Sequence, residues 1–441
     1  MVSSTVFSAS LFVLATLAAG APHLEPRAQA IPIKDPLPSY ISENLGIHAS
    51  YKAQGEYQAA PSGCTISQVN ILQRHGSRFP DEDSTDKITK SLKNFKDAMS
   101  LSDDLAFVKD YKYNLGVDDL VPQGEIELQN AGREAYNRYS ALYPAFTRTD
   151  EEQRVQDSAT NWLKGYYLTR RVREPPAPVV MPASKGSQTT LDILCDGKPD
   201  LSEYQDTWRL MFMSDAIRRF NYAAPGALLE QKDLVRFMQL CGYDAQYSGT
   251  VNKFCNLFTE QEWKDFAYYY DVKSYYDDAY GNPLGAATGV GYVAELLARL
   301  TGDISWVEND ATSVPKDLDL DSTTFPLDSK MYVDFTHNGN IAAALTTIGL
   351  KKGPALPANE RPEGQEWFSS KIIPFGARLV TEKLTCSGGD YVRFFLNDEL
   401  LNPSFCSGAD ASTGLCSLDN FVASQTYVKA NGKGEYAQCS E

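Results

Sequence analysis

The residues best suited to do chemistry lie in one short stretch, where an imidazole stands between two guanidinium groups. This stretch, Arg74-His75-Gly76-Ser77-Arg78, follows an apolar run that ends at Leu72. An imidazole can attack phosphorus as a nucleophile, and two arginines can hold the oxygens of a phosphoryl group in fork geometry. The spacing therefore predicts a site for phosphoryl chemistry. The alternative is a basic turn at the end of a strand.

The surroundings of His75 favour the nucleophile. An imidazole has an ordinary pKa of about 6.5, and neighbouring arginines lower it. The ring would then stay neutral and nucleophilic in acid. Gly76 would let the backbone approach a ligand closely. The position after a strand is also suitable, because ligands of α/β sheets lie beyond the carboxyl ends of the strands.

Composition excludes several other classes of protein. The chain has 441 residues, 43% of them hydrophobic, a formal net charge of −16 and a pI of about 4.8. This is enough apolar material for a large core. A nucleic-acid partner is not expected, because there is no basic stripe to neutralise backbone phosphates. An anionic small-molecule substrate would be held by a local cluster of cations.

The N-terminus predicts secretion. The apolar run 7–19 is too short to span a bilayer and precedes small residues, so residues 1–21 are predicted to be a signal peptide and the mature chain to be extracellular, with no membrane partner. A membrane anchor is the alternative. Eight cysteines in a secreted chain predict four disulfides, and the absence of C-x-x-C argues against a zinc site. Sequence arithmetic alone leaves 105 possible pairings.

Periodicity predicts an α/β architecture. The expected strands are 66–72, 179–181, 331–335, 372–375 and 392–396, and the expected helices are 87–101, 120–146, 155–171, 290–300 and 341–350, with 201–279 mostly helical. Their alternation predicts an α/β/α sandwich around a mainly parallel sheet, with a smaller, mostly helical cap. We expect an N-terminal arm at 22–60, a core at 61–80, 120–190 and 285–441, and a cap at 81–119 and 191–284.

The motif and an ordered series of further segments resemble one family. R-H-G-x-R-x-P is a signature of the histidine phosphatase superfamily, and the segments 112–120, 254–259, 281–300 and 324–337 are similar to its second branch, the histidine acid phosphatases. The likeness is greatest to secreted fungal phytases and covers most of residues 48–441. It implies hydrolysis of phosphomonoesters, with phytate a good substrate, through a phosphohistidine on His75 and without cofactor or metal.

The resemblance also implies the residues that hold the phosphoryl group. Arg74 and Arg78 match the family's motif arginines, Arg148 its third phosphate-binding arginine, and His337 its second histidine. Arg154 is expected to brace the site by pairing with a carboxylate. The alternatives are a surface arginine at Arg148 and an ordinary core histidine at His337.

The family's cysteine pattern implies a particular set of disulfides. The implied pairs are Cys64–Cys386, Cys195–Cys439, Cys241–Cys255 and Cys406–Cys416.

One catalytic position departs from the family. The resemblance implies a carboxylic acid after His337 that protonates the leaving alkoxide, but this chain has Asn338. A carboxamide cannot deliver a proton. Loss of the general acid could lower the rate of hydrolysis of an alkyl ester by about 10²- to 10⁴-fold. Another acid could substitute, or Asn338 could deamidate because Gly339 follows it. A third alternative is a protein that binds phosphate esters but turns them over poorly. A broad acid phosphatase with little phytate preference also stays open.

Overall fold

The computed structural model describes residues 29–184 and 186–440, so the predicted signal peptide lies outside the described residues. The described chain forms one eight-stranded sheet flanked by helices. The strands are β1 Cys64–Arg74, β2 Ala145–Asp150, β3 Val179–Met181, β4 Met331–Thr336, β5 Arg378–Cys386, β6 Gly389–Leu396, β7 Glu399–Leu401 and β8 Cys416–Ser417.

The sheet is half parallel and half antiparallel. Its order is β3-β2-β4-β1-β5-β6-β7, with β8 beside β6. The pairs β1–β4, β2–β4 and β2–β3 are parallel, whereas β1–β5, β5–β6, β6–β7 and β6–β8 are antiparallel. The α/β class is confirmed, but the expected mainly parallel sheet is parallel only around β4. The C-terminal strands follow one another closely in sequence, and short connections join neighbours in antiparallel order.

Helices cover both faces of the sheet. The α-helices are α1 Ser39–Ser42, α2 Glu82–Lys96, α3 Pro122–Tyr139, α4 Gln153–Thr169, α5 Ser202–Phe212, α6 Ser214–Ala223, α7 Gln231–Ser248, α8 Glu260–Asp278, α9 Gly285–Thr288, α10 Val290–Thr301, α11 Ser305–Glu308, α12 Lys316–Asp319, α13 Asn338–Ile348, α14 Ser369–Ile372, α15 Leu418–Ser424 and α16 Thr426–Lys429. Short 3₁₀ helices occupy Gly46–His48, Asp103–Lys109, Ser140–Leu142, Lys253–Leu257 and Asn431–Ser440. Among the described residues, no helix combines the length and apolarity that crossing a membrane requires.

Side chains along the central strand β1 point to opposite faces of the sheet and pack into two different apolar layers. Val69 and Ile71 of β1 pack with α3 and α4, whereas Leu72 belongs to a larger cluster that includes α10 and α13. That larger cluster continues without a break into the helices of the predicted cap, including Phe95, Phe237 and Trp263. The cap therefore shares its apolar core with the sheet layer, and the predicted domain boundaries stay predictions.

Most predicted elements form, with three local errors. The predicted helix 120–146 ends at Tyr139, and β2 begins at Ala145 just after Pro144, which cannot continue a helix. The predicted helix 87–101 ends at Lys96, and Met99, inside the predicted range, is 82% exposed. The predicted strand 372–375 is wrong, since α14 ends at Ile372 and a proline that cannot donate to a ladder follows.

The disulfides that the resemblance implied are present. The bonded pairs are Cys64–Cys386, Cys195–Cys439, Cys241–Cys255 and Cys406–Cys416. The first joins facing residues of β1 and β5, so it fixes the strand that leads to His75.

Candidate active site

Three neighbouring parallel strands end at the same edge of the sheet, and their ends hold the site. β1 ends at Arg74, β4 at Thr336 and β2 at Asp150. The His75 backbone N–H donates to the Thr336 carbonyl at 3.0 Å. The rings of His75 and His337 lie 5.6 Å apart, centroid to centroid. The two histidines singled out from the sequence thus meet at one site.

The loop after β1 is fixed by helix α3. A Cβ on Gly76 would lie 2.5 Å from a methyl of Leu128 and 2.6 Å from the carbonyl oxygen of Gly124. Only a glycine fits at this close approach to the helix. The Ser77 backbone N–H and hydroxyl both donate to the Glu127 carboxylate, each at 2.9 Å. Gly76 is therefore needed for packing against α3, whereas the sequence had suggested an approach to the ligand.

His75 is oriented to present one particular nitrogen. Its Nδ1 lies 3.0 Å from the Gly76 carbonyl oxygen. Because a carbonyl can only accept, Nδ1 carries the hydrogen and Nε2 keeps its lone pair. The ring is 2% exposed. Burial first, and then the positive charges of Arg74 and Arg78, lower the pKa of His75 well below its usual value. The ring is therefore a neutral nucleophile in acid.

Arg74 is held in place by the backbone around it. Its Nη1 donates to the carbonyls of Ile47 at 2.7 Å and Ile373 at 2.6 Å. Its guanidinium carbon lies 4.4 Å from the centre of the Phe375 ring. The apolar segment 372–375, which we had expected to be a strand, thus fixes this arginine.

Arg78 and Arg154 are each tethered by acidic side chains. Arg78 Nη2 reaches Asp81 at 3.3 Å. Arg154 Nη1 reaches Asp118 at 3.2 Å, and its Nη2 pairs with Glu152. The pairing expected of Arg154 with a carboxylate is thus seen. Its charge also lowers the pKa of His75, behind burial and the charges of Arg74, Arg78 and His337.

Arg74, Arg78 and Arg154 each have one unpaired donor. The Nε atoms of Arg74, Arg78 and Arg154 are buried and have no hydrogen-bond partner among the described residues, and the same holds for His337 Nε2. A buried donor left unpaired costs about 1–3 kcal/mol or more. A phosphoryl group would supply the missing acceptors.

Arg148, our predicted third phosphate ligand, lies in a different environment. It is fully buried, and every nitrogen of its guanidinium is paired with a carboxylate. Nε reaches Asp334 at 2.8 Å, Nη1 reaches Asp319 at 3.2 Å, and Nη2 reaches Glu295. It would have to leave these partners to bind phosphate. The placement gives the prediction no support, and Arg154 takes its place as the third cation beside His75.

The network around Arg148 is electrostatically balanced within itself. Burial would raise the pKa of Asp334, but the charges of Arg148 and Arg299 outweigh it and hold the pKa at about 2. Burial and the neighbouring Glu295 instead raise the pKa of Asp319 to about 10. One of the three carboxyl groups therefore keeps its proton, and the network has no charge left for a ligand.

Asn338 stands where the family's proton donor was expected. His337 is the N-cap of α13, and Asn338 is its first residue. A carboxyl group from the cap lies beside this turn: a Cβ on Gly339 would lie 2.7 Å from Asp278 Oδ2. Asp278 also pairs with Lys198. The structure thus places an acid next to Asn338 that the sequence had not identified.

Two further acidic residues at the site were also missed. Asp150 and Glu152 follow β2 and approach His337 Nε2, each at 3.7 Å. Acidic residues directly after a strand would have indicated this part of the site. However, residues 120–146 were predicted to be one helix, and no strand was predicted between that helix and the next one.

His48 also lies near the site, although the sequence placed it only in the predicted N-terminal arm. Its ring is buried between Tyr243 and Tyr270, with Nδ1 3.1 Å from the Tyr243 hydroxyl. Burial, followed by the charges of Arg78 and Arg74, lowers its pKa to about 3. The arm therefore closes the back of the site with a neutral ring.

Comparisons with known proteins give one family match and several relatives. The family model described as "Histidine phosphatase superfamily (branch 2)" matches residues 65–397. The chain is 33% identical over 408 residues to Phytase A of Aspergillus awamori, covering 86% of this chain and 85% of the relative. It is 31% identical over 417 residues to Phytase A of Arthroderma benhamiae, covering 87% and 88%.

Two solved structures share the fold. The phytase from D. castellii has a TM-score of 0.73 at 20% identity, covering 91% of this chain and 87% of that one. The multiple inositol polyphosphate phosphatase of Bifidobacterium longum has a TM-score of 0.61 at 14% identity, covering 86% and 96%.

Proposed function

Because the chain belongs to branch 2 of the histidine phosphatase superfamily and is a phosphoric monoester hydrolase, we propose that it is a secreted acid phosphatase that hydrolyses phytate through a phosphohistidine intermediate. The observation that carries the mechanism is the orientation of His75. Its Nδ1 is fixed by the Gly76 carbonyl, which leaves Nε2 free to attack. Phytate as substrate is supported by the relatives named Phytase A, and secretion by the apolar N-terminal run and four disulfides.

The first step forms a bond between His75 and phosphorus. Nε2 attacks the phosphorus in line with the leaving oxygen, the bond from phosphorus to that oxygen breaks, and its electron pair leaves with the alkoxide. Arg74, Arg78 and Arg154 donate their unpaired Nε–H groups to the phosphoryl oxygens, and His337 Nε2 contacts them. Water then attacks phosphorus, the bond to Nε2 breaks, and inorganic phosphate is released.

The leaving alkoxide needs a proton that Asn338 cannot give. In this proposal the carboxyl group of Asp278 supplies it, because Asp278 lies against the first turn of α13. Asp278 also holds an ion pair with Lys198, so it is less free to meet the leaving oxygen than a carboxyl group at residue 338 would be. Protonation of the leaving group is therefore the slow part of the cycle.

The experiment that tests the function compares two esters at about pH 5. Initial rates on p-nitrophenyl phosphate and phytate are measured for wild type, His75→Ala, Asn338→Asp and Asp278→Asn. We expect hydrolysis of both esters by wild type and none by His75→Ala. Nitrophenolate leaves without a proton, so Asn338→Asp should accelerate phytate by about 10²-fold and leave the nitrophenyl ester unchanged. Asp278→Asn should slow phytate only.

Controls separate the alternatives. Asn359→Asp makes the same chemical change at an exposed residue and should change neither rate. The mass of the peptide that holds Asn338 tests deamidation, which adds about one dalton. Activity on neither ester, together with phosphate binding, would overturn the enzyme in favour of a phosphate-ester binding protein. Hydrolysis of many esters with no preference for phytate would leave a broad acid phosphatase.

A further inference from the structure

Three ligand-type side chains converge beside the phosphate site. Asp150 ends β2, Glu152 lies two residues further on, and His337 caps α13. His337 Nε2 lies 3.7 Å from an oxygen of each carboxylate. One ligand atom from each of the three residues lies within 4.8 Å of the other two. The cluster is assembled by the parallel register of β2 and β4 and not by any local motif.

Two atoms of this cluster are buried without a partner. Asp150 is 0% exposed, and while its Oδ1 accepts the Glu152 backbone N–H at 2.6 Å, its Oδ2 has no partner among the described residues. His337 Nε2 is likewise unpaired. A carboxylate that is buried and half unpaired is costly. The Asp150 oxygen that approaches His337 Nε2 is Oδ1, and a cation bound to this carboxylate and to Nε2 would give both groups a further partner.

We propose that Asp150, Glu152 and His337 form a binding site for a divalent transition-metal ion, with zinc as the best fit. One imidazole and two carboxylates suit zinc, whereas magnesium and calcium prefer oxygen ligands alone. Two ligands about 2.1 Å from a tetrahedral zinc ion lie about 3.4 Å apart. The two 3.7 Å separations from His337 Nε2 therefore need only a small inward shift, whereas the two carboxylate oxygens, within 4.8 Å of each other, set the limit on the fit.

The neighbouring arginine does not prevent binding. Arg154 pairs with Glu152, but it has a second carboxylate partner in Asp118. The same oxygen, Glu152 Oε2, faces both Arg154 and His337, so binding an ion would require this oxygen to turn from Arg154, which keeps Asp118.

The bound ion inhibits the enzyme, and this consequence rests on the proposed function. His337 Nε2 cannot bind a metal and a phosphoryl oxygen at once. Zinc would therefore remove one of the contacts that hold the substrate, and it has no part in the hydrolysis itself. Chelator treatment is expected to leave the basal rate intact.

Calorimetry on the full chain tests the binding. Chelator-treated protein is titrated with zinc chloride at pH 7 in a phosphate-free, non-coordinating buffer. We expect one zinc ion per wild-type chain and affinity lower by at least about tenfold in Asp150→Asn and in Glu152→Gln. Glu152 is partly exposed, so the second variant guards against misfolding of the first. The matched control is Glu151→Gln, which changes an exposed carboxylate of the same loop and should bind zinc like wild type.

The outcomes distinguish this proposal from the proposed function. The metal site is overturned if the wild-type chain does not bind zinc stoichiometrically. It is also overturned if wild type, Asp150→Asn and Glu152→Gln bind zinc equally well. Rates on p-nitrophenyl phosphate are then read with and without zinc, and inhibition is expected for wild type and Glu151→Gln. If the chain binds zinc in the calorimeter but hydrolyses no ester without it, the proposed function fails while the metal site stands.

Discussion

Arg148 and Arg154 lie at the two ends of one short segment, yet their surroundings are opposite. Arg148 gives every guanidinium nitrogen to a carboxylate and is fully buried. Arg154, like Arg74 and Arg78, keeps a buried Nε–H unpaired. Arg148 is therefore saturated, with no free donor for a ligand, whereas Arg154 is unsaturated and keeps a donor near His75. An unpaired Nε alone does not make this distinction, because Arg299 of the Arg148 network also has one.

Removing the saturated arginine should have the largest effect on stability. Arg148→Met leaves Asp334 with Arg299 alone and removes the cation that Glu295 pairs with, and loss of one partner from a buried pair costs about 3–5 kcal/mol. Urea unfolding should show this loss, and Arg173→Met, a change at an exposed arginine, should show almost none. Near-normal stability with lost phosphate binding would instead return Arg148 to the phosphate site.

The same change at the unsaturated arginine should affect catalysis and spare the fold. Arg154→Met removes a donor to the phosphoryl oxygens, so kcat/KM on p-nitrophenyl phosphate should fall by about 10²- to 10³-fold. Its surface-facing ion pairs contribute little, so the free energy of unfolding should change by less than about 1 kcal/mol. An unchanged kcat/KM would remove Arg154 from the site.

The buried carboxyl groups around Arg148 should also make the stability of the fold depend on pH. The pKa of Asp319 is raised from 3.8 to about 10 in the folded state. A raised carboxyl pKa stabilises the fold fully below about pH 4, and that contribution is lost as the pH rises toward 10. Asp319→Asn should therefore remove a fall in stability of up to about 1.4 kcal/mol per pH unit between pH 4.5 and 8. The exposed change Asp317→Asn on the same helix should keep the wild-type slope, and an equal slope in both variants would contradict this assignment.

The smallest effect is expected in the pH dependence of catalysis at the site that holds His75 and Arg154. Burial and the nearby arginines lower the pKa of His75 well below 6.5, so its protonation should not reduce kcat/KM between pH 6.5 and 4. Rates on p-nitrophenyl phosphate across this range measure it. A tenfold fall per pH unit beginning near 6.5 would mean that His75 titrates normally.

The sequence was sufficient where function is local. Arg74, His75 and Arg78 lie within five residues of one another in the sequence, and β1 supplies the strand end that precedes them. It was insufficient where contacts are long-range. The partners of Arg148 come from α10, α12 and β4, and nothing near residue 148 shows that they will meet.

The acidic cluster could not be predicted for the same reason. Asp150 and Glu152 reach His337 only because β2 and β4 are parallel neighbours, and the strand β2 itself was hidden inside a predicted helix. The sheet was misjudged as mainly parallel because strand candidates were seen without their partners. Strand pairing is set by register and connection length, which single segments do not contain.

The central claim is that His75 forms a covalent bond with phosphorus. It is tested most directly by mixing the enzyme with a phosphomonoester carrying labelled phosphorus, quenching with alkali during turnover, and mapping the labelled peptide. We expect label on the peptide that contains His75, stable to alkali and lost in acid, and absent from His75→Ala. Turnover without labelled protein, or label on any other residue, would contradict it.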